Sequence, residues 1–301
     1  MKIVFLGTSG SMPTQSRGSS AIAIRREGEI ILFDCGEGTQ QRMVAAHIGF
    51  RRRMRIFITH LHGDHVLGLP GLLQTMTLLQ RERQLNLYGP KGLLDFIEAF
   101  CSVLGPPGFP LEVKEHMEEG VVFEGSGYRV EAVEADHDEN CWSYSLLEAP
   151  RPGRFHPDKA RMLGVPEGSL WKKLQHGEDI VLEDSTVVMS SEVVDPQRRG
   201  RKIVYSGDTR PSDALVKLAE GADILIHEAT FDDSLAERAM ADGHSTASQA
   251  AEVAFSANVG RLLLTHISSR YPDAGILLEQ ARNIFKNTVI AKDLMKVDVQ
   301  L

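Results

Sequence analysis

Five times in this chain an apolar, mostly β-branched run leads directly into a histidine or a carboxylate. "RIFITH" ends at His60, "YRVEAVEADH" at His137, "RKIVYSGD" at Asp208 and "RLLLTH" at His266, while "DILIHEA" leads into Glu228. Continuous apolar runs of this length predict strands buried on both faces. Helical patterns are predicted between them, over 39–47, 71–83, 92–103, 211–220, 245–258 and 274–285. The fifth opens "STASQAAEVAF", alanine-rich with a serine or threonine cap. Strands alternating with helices predict a layered α/β protein. Five strand ends that deliver ligand-type residues predict one site at one sheet edge, where loops on a rigid sheet usually carry chemistry.

The chain has 301 residues, a length that large two-sheet folds reach without splitting. Its 42% apolar and 25% charged residues suit a soluble globular protein. The opening "MKIVFLGTSG" is too short and glycine-broken for a signal peptide, and no apolar run reaches membrane-spanning length. These features predict a cytoplasmic protein with no membrane partner. Cys35, Cys101 and Cys141 fit no CxxC pattern and read as small buried apolar residues. The net charge of −8 argues weakly against nucleic acid, but its distribution matters more. Basic residues gather in "RRRMR" at 51–55, in "RRGRK" at 198–202 and in an excursion over 148–180. That excursion holds four prolines, four glycines and Arg151, Arg154, Lys159, Arg161, Lys172 and Lys173. Long excursions of this kind in compact proteins are usually functional.

His60, His62, Asp64 and His65 fall within six positions after a predicted strand. Burying so many polar heads without partners would cost about 1–3 kcal/mol each. Imidazoles and a carboxylate suit zinc or a similar first-row ion. A catalytic zinc takes three protein ligands and keeps a position for water, so four local candidates plus His137, Asp208 and His266 are too many for one ion. Seven ligands divide over two ions with one carboxylate bridging. His116 is the nearby rival to His137.

The HxHxDH run at 60–65 resembles the signature of the metallo-β-lactamase fold superfamily. Within it, "FDCGEGTQ" from 33, "THLHGDHVLGLPGLL" from 59, "YSGDTR" from 205, "HEATF" from 227, "GHSTA" from 243 and "LLTHISSRY" from 263 occur in the order of the ribonuclease Z family, which the chain resembles over nearly its whole length. The resemblance implies a four-layer αββα fold, one domain over 1–301 with a protruding basic arm inserted at 148–180. It implies two Zn2+ per chain, other divalent ions being possible, with His60, His62 and His137 on one, Asp64, His65 and His266 on the other, and Asp208 between them. It implies removal of the 3′ trailer from precursor tRNA, leaving a 3′-hydroxyl on the tRNA and a 5′-phosphate on the trailer. It also implies a homodimer in which the arm binds tRNA.

A water shared by two zinc ions ionises near neutral pH, and zinc alone brings bound water to about pKa 7. Asp64 is then both ligand and general base. Glu228 and His244 are the catalytic candidates for protonating the leaving oxygen, as the resemblance also indicates. Arg270, in "SSRY", is a candidate phosphate clamp, and Arg151, Arg154, Lys172 and Lys173 are candidate tRNA contacts. Asp34 is either an acceptor behind the ligands or a helix cap. "GTSGSMPTQSRGSS" reads as a tight turn lining the site, and His227, on the opposite strand face, as structural. Two other readings compete. One is a small-molecule phosphodiesterase or thioester hydrolase on the same binuclear fold, which needs no long basic excursion. The other is an RNA-binding module with structural zinc, which would favour cysteine-rich tetrahedra.

Overall fold

The computed structural model describes residues 1–138 and 140–300, which form two compact units: Met1–Leu147 with Arg201–Leu301, and Glu148–Gly200. The larger unit is built on two seven-stranded sheets. In the first, Lys296–Asp298, Lys2–Gly7, Ala21–Arg26 and Glu29–Phe33 pair antiparallel. Arg53–Phe57, Leu85–Gly89 and Leu111–Glu115 then continue it in parallel. In the second, Thr288–Ile290, Leu262–Thr265, Ile224–Glu228 and Lys202–Tyr205 are parallel. Trp142–Glu148, Tyr128–Glu134 and Gly120–Gly125 complete it.

The strand side chains alternate between two cores, which explains their uninterrupted apolar runs. Ile31 and Phe33 point between the sheets, towards Tyr144, Ile203, Tyr205 and Leu263. Ile30 and Leu32 point outward onto Met43, Leu69, Leu72 and Leu73 of the covering helices Thr39–Ala45 and Gly68–Leu78. On the second sheet Ile226 points inward, while Leu225, Leu262 and Leu264 pack against Leu215, Ala250 and Leu277. Their helices are Asp213–Ala219, Ala247–Ser256 and Gly275–Ile284. Three cores between four layers make the αββα metallo-β-lactamase fold. Thr246 caps the alanine-rich helix in a reciprocal box with Gln249. No helix of the described residues is long and apolar enough to cross a membrane.

The smaller unit differs from the expected excursion. It begins at 148 but continues to Gly200 rather than ending at 180. The reason is its own core: Ala160 and Leu174 of the helices Pro157–Met162 and Ser169–Gln175 pack with Ile180, Val188 and Val193 beyond them. Taken whole, the unit carries eight Lys and Arg against nine Asp and Glu, so it is not basic overall.

Candidate metal centre

The strands of each sheet that run parallel deliver their carboxyl ends to a common edge. His60, His62, Asp64 and His65 follow Arg53–Phe57, Asp208 follows Lys202–Tyr205, Glu228 ends Ile224–Glu228, and His266 follows Leu262–Thr265. The ligand atoms of His60, His62, His137 and Asp208 lie within 4.8 Å of one another, as do those of Asp64, His65 and His266. Asp208 stands between the groups, with Oδ2 3.8 Å from His60 Nε2, 3.4 Å from His65 Nε2 and 3.2 Å from His266 Nε2.

The opposite nitrogen of each imidazole is tied down. His60 Nδ1 donates to Thr59 Oγ1 at 2.9 Å, because the Thr59 hydroxyl donates to Asp34. His65 Nδ1 donates to Asp34 Oδ2 at 2.8 Å. His137 Nδ1 donates to the Gly243 carbonyl at 2.7 Å, and His266 Nδ1 to Thr230 Oγ1 at 2.9 Å. His62 is turned the other way, with Nε2 3.0 Å from Asp138 Oδ2 and Nδ1 3.3 Å from His137 Nε2. Each pairing fixes the tautomer that aims a lone pair inward, the arrangement that supports histidine as a metal ligand.

The residues fit a pair of divalent cations. His60 Nε2 and Asp208 Oδ1 are buried with no hydrogen-bond partner, a costly state unless something charged meets them. Burial, with the positive neighbour His65, holds the His60 imidazole well below its ordinary range, so it is neutral as a ligand must be. Against the same burial, Asp208 and Asp34 pull His65 well above its range. That pull for positive charge is one a divalent cation satisfies. Burial opposes ionisation of Asp64, yet its hydrogen bond with His266 and the His65 charge keep its carboxyl well below the usual range.

Behind Asp208 is a second acid–imidazole pair. Glu228, fully buried, accepts from Thr209 N at 3.0 Å, Thr230 N at 3.1 Å, Thr230 Oγ1 at 2.6 Å and His244 Nδ1 at 2.8 Å. Burial would lower the His244 imidazole, but Glu228 outweighs it and raises it to about 9.

Of the residues left open, Asp34 is an acceptor and not a cap. It takes hydrogen bonds from Thr59 N, Thr59 Oγ1, His65 Nδ1 and the Tyr205 hydroxyl, whereas Gly38 occupies the cap of Thr39–Ala45. His116 packs on Trp142 and Tyr144 and leaves His137 to the cluster. His227 is buried with Nδ1 on the Glu228 carbonyl. Arg270 is exposed, its guanidinium 4.9 Å above the Phe231 ring, which in turn lies 6.0 Å from His244. In the smaller unit Arg151 is half-buried and paired with Glu148 at 3.3 Å, while Arg154, Lys172 and Lys173 are exposed.

"RRRMR" and the Arg201–Lys202 end of "RRGRK" open their strands and so lie away from this edge. "RRRMR" opens the strand that ends towards His60, so about five residues, roughly 17 Å of extended chain, separate them. There Arg51 donates to the Leu79 carbonyl, and Arg55 is held by Glu29 and stacks on Phe123. Arg201 donates to the Val299 carbonyl and Lys202 to that of Glu220, at the opening of their own strand. Thr59, Tyr205, Thr230 and Gly243 escaped the sequence reading, because what they support is decided by folding and not by spacing.

Comparison with known proteins agrees with this geometry. A beta-lactamase superfamily domain model matches residues 172–267, and a model of anti-Pycsar protein Apyc1 matches residues 1–103. The chain is 46% identical over 303 residues to a ribonuclease Z of Methanosarcina acetivorans, covering 99% of this chain and 98% of that one. It is 49% identical over 275 residues to a ribonuclease Z of Natronomonas pharaonis, covering 90% and 88%. The crystal structure of human tRNase Z, short form, superposes with a TM-score of 0.74 at 31% identity, covering all of both chains. With such identity across its full length and this ligand set at the sheet edge, the chain belongs to the ribonuclease Z family of metallo-β-lactamase-fold endoribonucleases.

Proposed function

We propose that this endoribonuclease removes the 3′ trailer from precursor tRNA with two zinc ions. The observation that carries the reading is the gathering of seven candidate ligand side chains, Asp208 among them, beside the hydrogen-bonded Glu228–His244 pair. His60, His62 and His137 would hold one ion and Asp64, His65 and His266 the other, with Asp208 shared. The metals, when bound, would supply an ionised water at neutral pH and charge neutralisation at the phosphate.

The chain's own residues do the rest. Asp64, with Oδ2 3.2 Å from His266 Nε2 and oriented by the Ser11 N–H at 2.7 Å, is the general base that takes the proton of the attacking water. His244 has Nδ1 committed to Glu228 and carries a proton at Nε2, which it gives to the departing 3′-oxygen. Glu228, held by three Thr donors, keeps that imidazole oriented and charged. The products are a 3′-hydroxyl on the tRNA and a 5′-phosphate on the trailer. Arg270 at the rim clamps a phosphate, and Arg154, Lys172 and Lys173, with Arg151 where its pair opens, offer further contacts to the tRNA backbone. The active form is a cytoplasmic homodimer in which the 148–200 unit serves as the tRNA-binding arm.

The test is incubation of the zinc-loaded protein with a 3′-extended tRNA precursor, mapping the cut and both new termini, then repeating after chelation and zinc return. A single cut at the tRNA 3′ end, lost and restored with zinc, is expected. An inert precursor together with rapid hydrolysis of cyclic nucleotides or thioesters would replace this reading with the small-molecule alternative.

A further inference from the structure

The loop from Thr8 to Gly18 touches two residues of one ligand group at once. Ser11 N donates to Asp64 Oδ2 at 2.7 Å, from a left-handed backbone with φ 55. Gly10 lies against His266, where a Cβ would come within 2.8 Å of Nδ1. Ser9–Gly10 pairs with Ile267–Ser268, directly after His266, and Ile267 N donates to the Thr8 carbonyl at 2.9 Å. The loop therefore sets the positions of Asp64 and His266 together.

A residue from the far end of the chain closes this loop. Asp293, with 5% of its side chain exposed, accepts from Thr8 Oγ1 at 2.8 Å and from Gly18 N at 2.7 Å, the two ends of the loop. Arg42 lies 3.2 Å from the same carboxylate, and Arg17 reaches back to donate to Thr8 Oγ1 at 2.7 Å and the Ala291 carbonyl at 2.8 Å. Apart from this clasp, the loop ends are joined through Ser9 N and the Gly18 carbonyl, 2.9 Å apart.

We propose that Asp293 is a positioning residue for the Asp64–His65–His266 metal position, acting through the Thr8–Gly18 loop and the Ser11 N–H. The proposal rests on the two-ion reading of the centre. When the clasp is cut, the left-handed turn at Ser11 relaxes and Asp64 loses the donor that orients it. Among the described residues, the hydrogen bonds of His60, His62 and His137 go to Thr59, Gly243, Asp138 and one another and not to the loop, so that group keeps its geometry. Removing a hydrogen bond behind a metal ligand typically costs about 10–100-fold in metal affinity.

The experiment is a zinc titration of the metal-stripped, full-length protein against a chromophoric chelator, which reads both binding steps without activity. Wild type should show two steps. Asp293→Ala should weaken one by about 10–100-fold and leave the other in place. Thr8→Val should show the same selective loss and Thr8→Ser should not, which keeps the test open if Asp293→Ala fails to fold. A folded Asp293→Ala protein with both steps at wild-type affinity, or with both weakened alike, would overturn the clasp. Wild-type protein that takes up no zinc would overturn the metal-centre reading beneath it.

Discussion

Gly243 adopts φ 80, and a Cβ there would lie 2.6 Å from His137 Nδ1, the nitrogen its own carbonyl holds. Gly243→Ala should therefore push His137 off its support and lower zinc content and cleavage by at least about 10-fold, the usual scale for a residue behind a ligand. Metal analysis of the purified variant, with circular dichroism to check folding, reads this directly. An unchanged zinc content would mean His137 is not placed by that carbonyl. His244 offers a different test. His244→Ala should keep its zinc and slow precursor cleavage by about 10²–10⁴-fold, the range for a lost general acid. An activated aryl phosphodiester, whose leaving group needs no proton, should lose much less. Equal losses on both substrates would remove His244 from proton donation.

At the scale of elements, the smaller unit carries its own prediction. Arg151 and Arg198 exchange backbone hydrogen bonds at 2.8 and 3.0 Å in an isolated bridge, so the two ends of the unit lie side by side. Its core runs from Ala160 to Val193. Replacing residues 152–197 with a short glycine-serine linker should leave metal content and aryl phosphodiester hydrolysis intact, since no ligand lies there. Precursor tRNA binding should fall sharply, and its salt dependence should flatten by roughly 0.7–0.9 in log–log slope per lost phosphate contact. Cutting only to residue 178 should instead give an aggregation-prone protein, because Ile180, Val188 and Val193 would lose the helices that cover them. Retention of wild-type tRNA affinity and salt slope in the larger deletion would take RNA recognition away from this unit.

The two sheets of the larger unit meet at the candidate metal centre: His60, His62, Asp64 and His65 follow a strand of the first, and Asp208 and His266 follow strands of the second. Chelation should therefore lower the melting temperature, by about 5–10 °C for ions present well above their dissociation constants. A melting temperature indifferent to chelation would mean the cations do not tie the sheets. His116 gives the molecule a separate pH dependence. Burial lowers its imidazole from 6.5 to about 4, with Nδ1 unpartnered against Trp142. Between those values the unfolded chain binds a proton that the folded chain refuses. The contribution is thus complete above pH 6.5, lost as pH falls to about 4, and flat below. It is on the order of 3 kcal/mol. Denaturant midpoints of wild type and His116→Gln across pH 4–7 should differ in slope, and parallel curves would refute it.

The strand runs and the residues that end them were readable from the chain itself. A strand buried on both faces must be apolar throughout, as Ile30–Phe33 and Leu262–Leu264 are, and a ligand can enter only where such a run stops. The density of His60, His62, Asp64 and His65 has no packing explanation and points to metal chemistry from the sequence alone. What the chain could not disclose was which distant groups would meet. Tyr205 reaches Asp34 across the inter-sheet core from 171 residues away, and Asp293 closes a loop 285 residues upstream. No spacing encodes those contacts; they follow from how two sheets pack. The same holds for charge. "RRRMR" is a basic cluster in one dimension, and strand direction places it at the opening of its strand, away from the candidate ligands that follow the other end. Closing a core of its own extends the inserted unit to Gly200 and balances its charge.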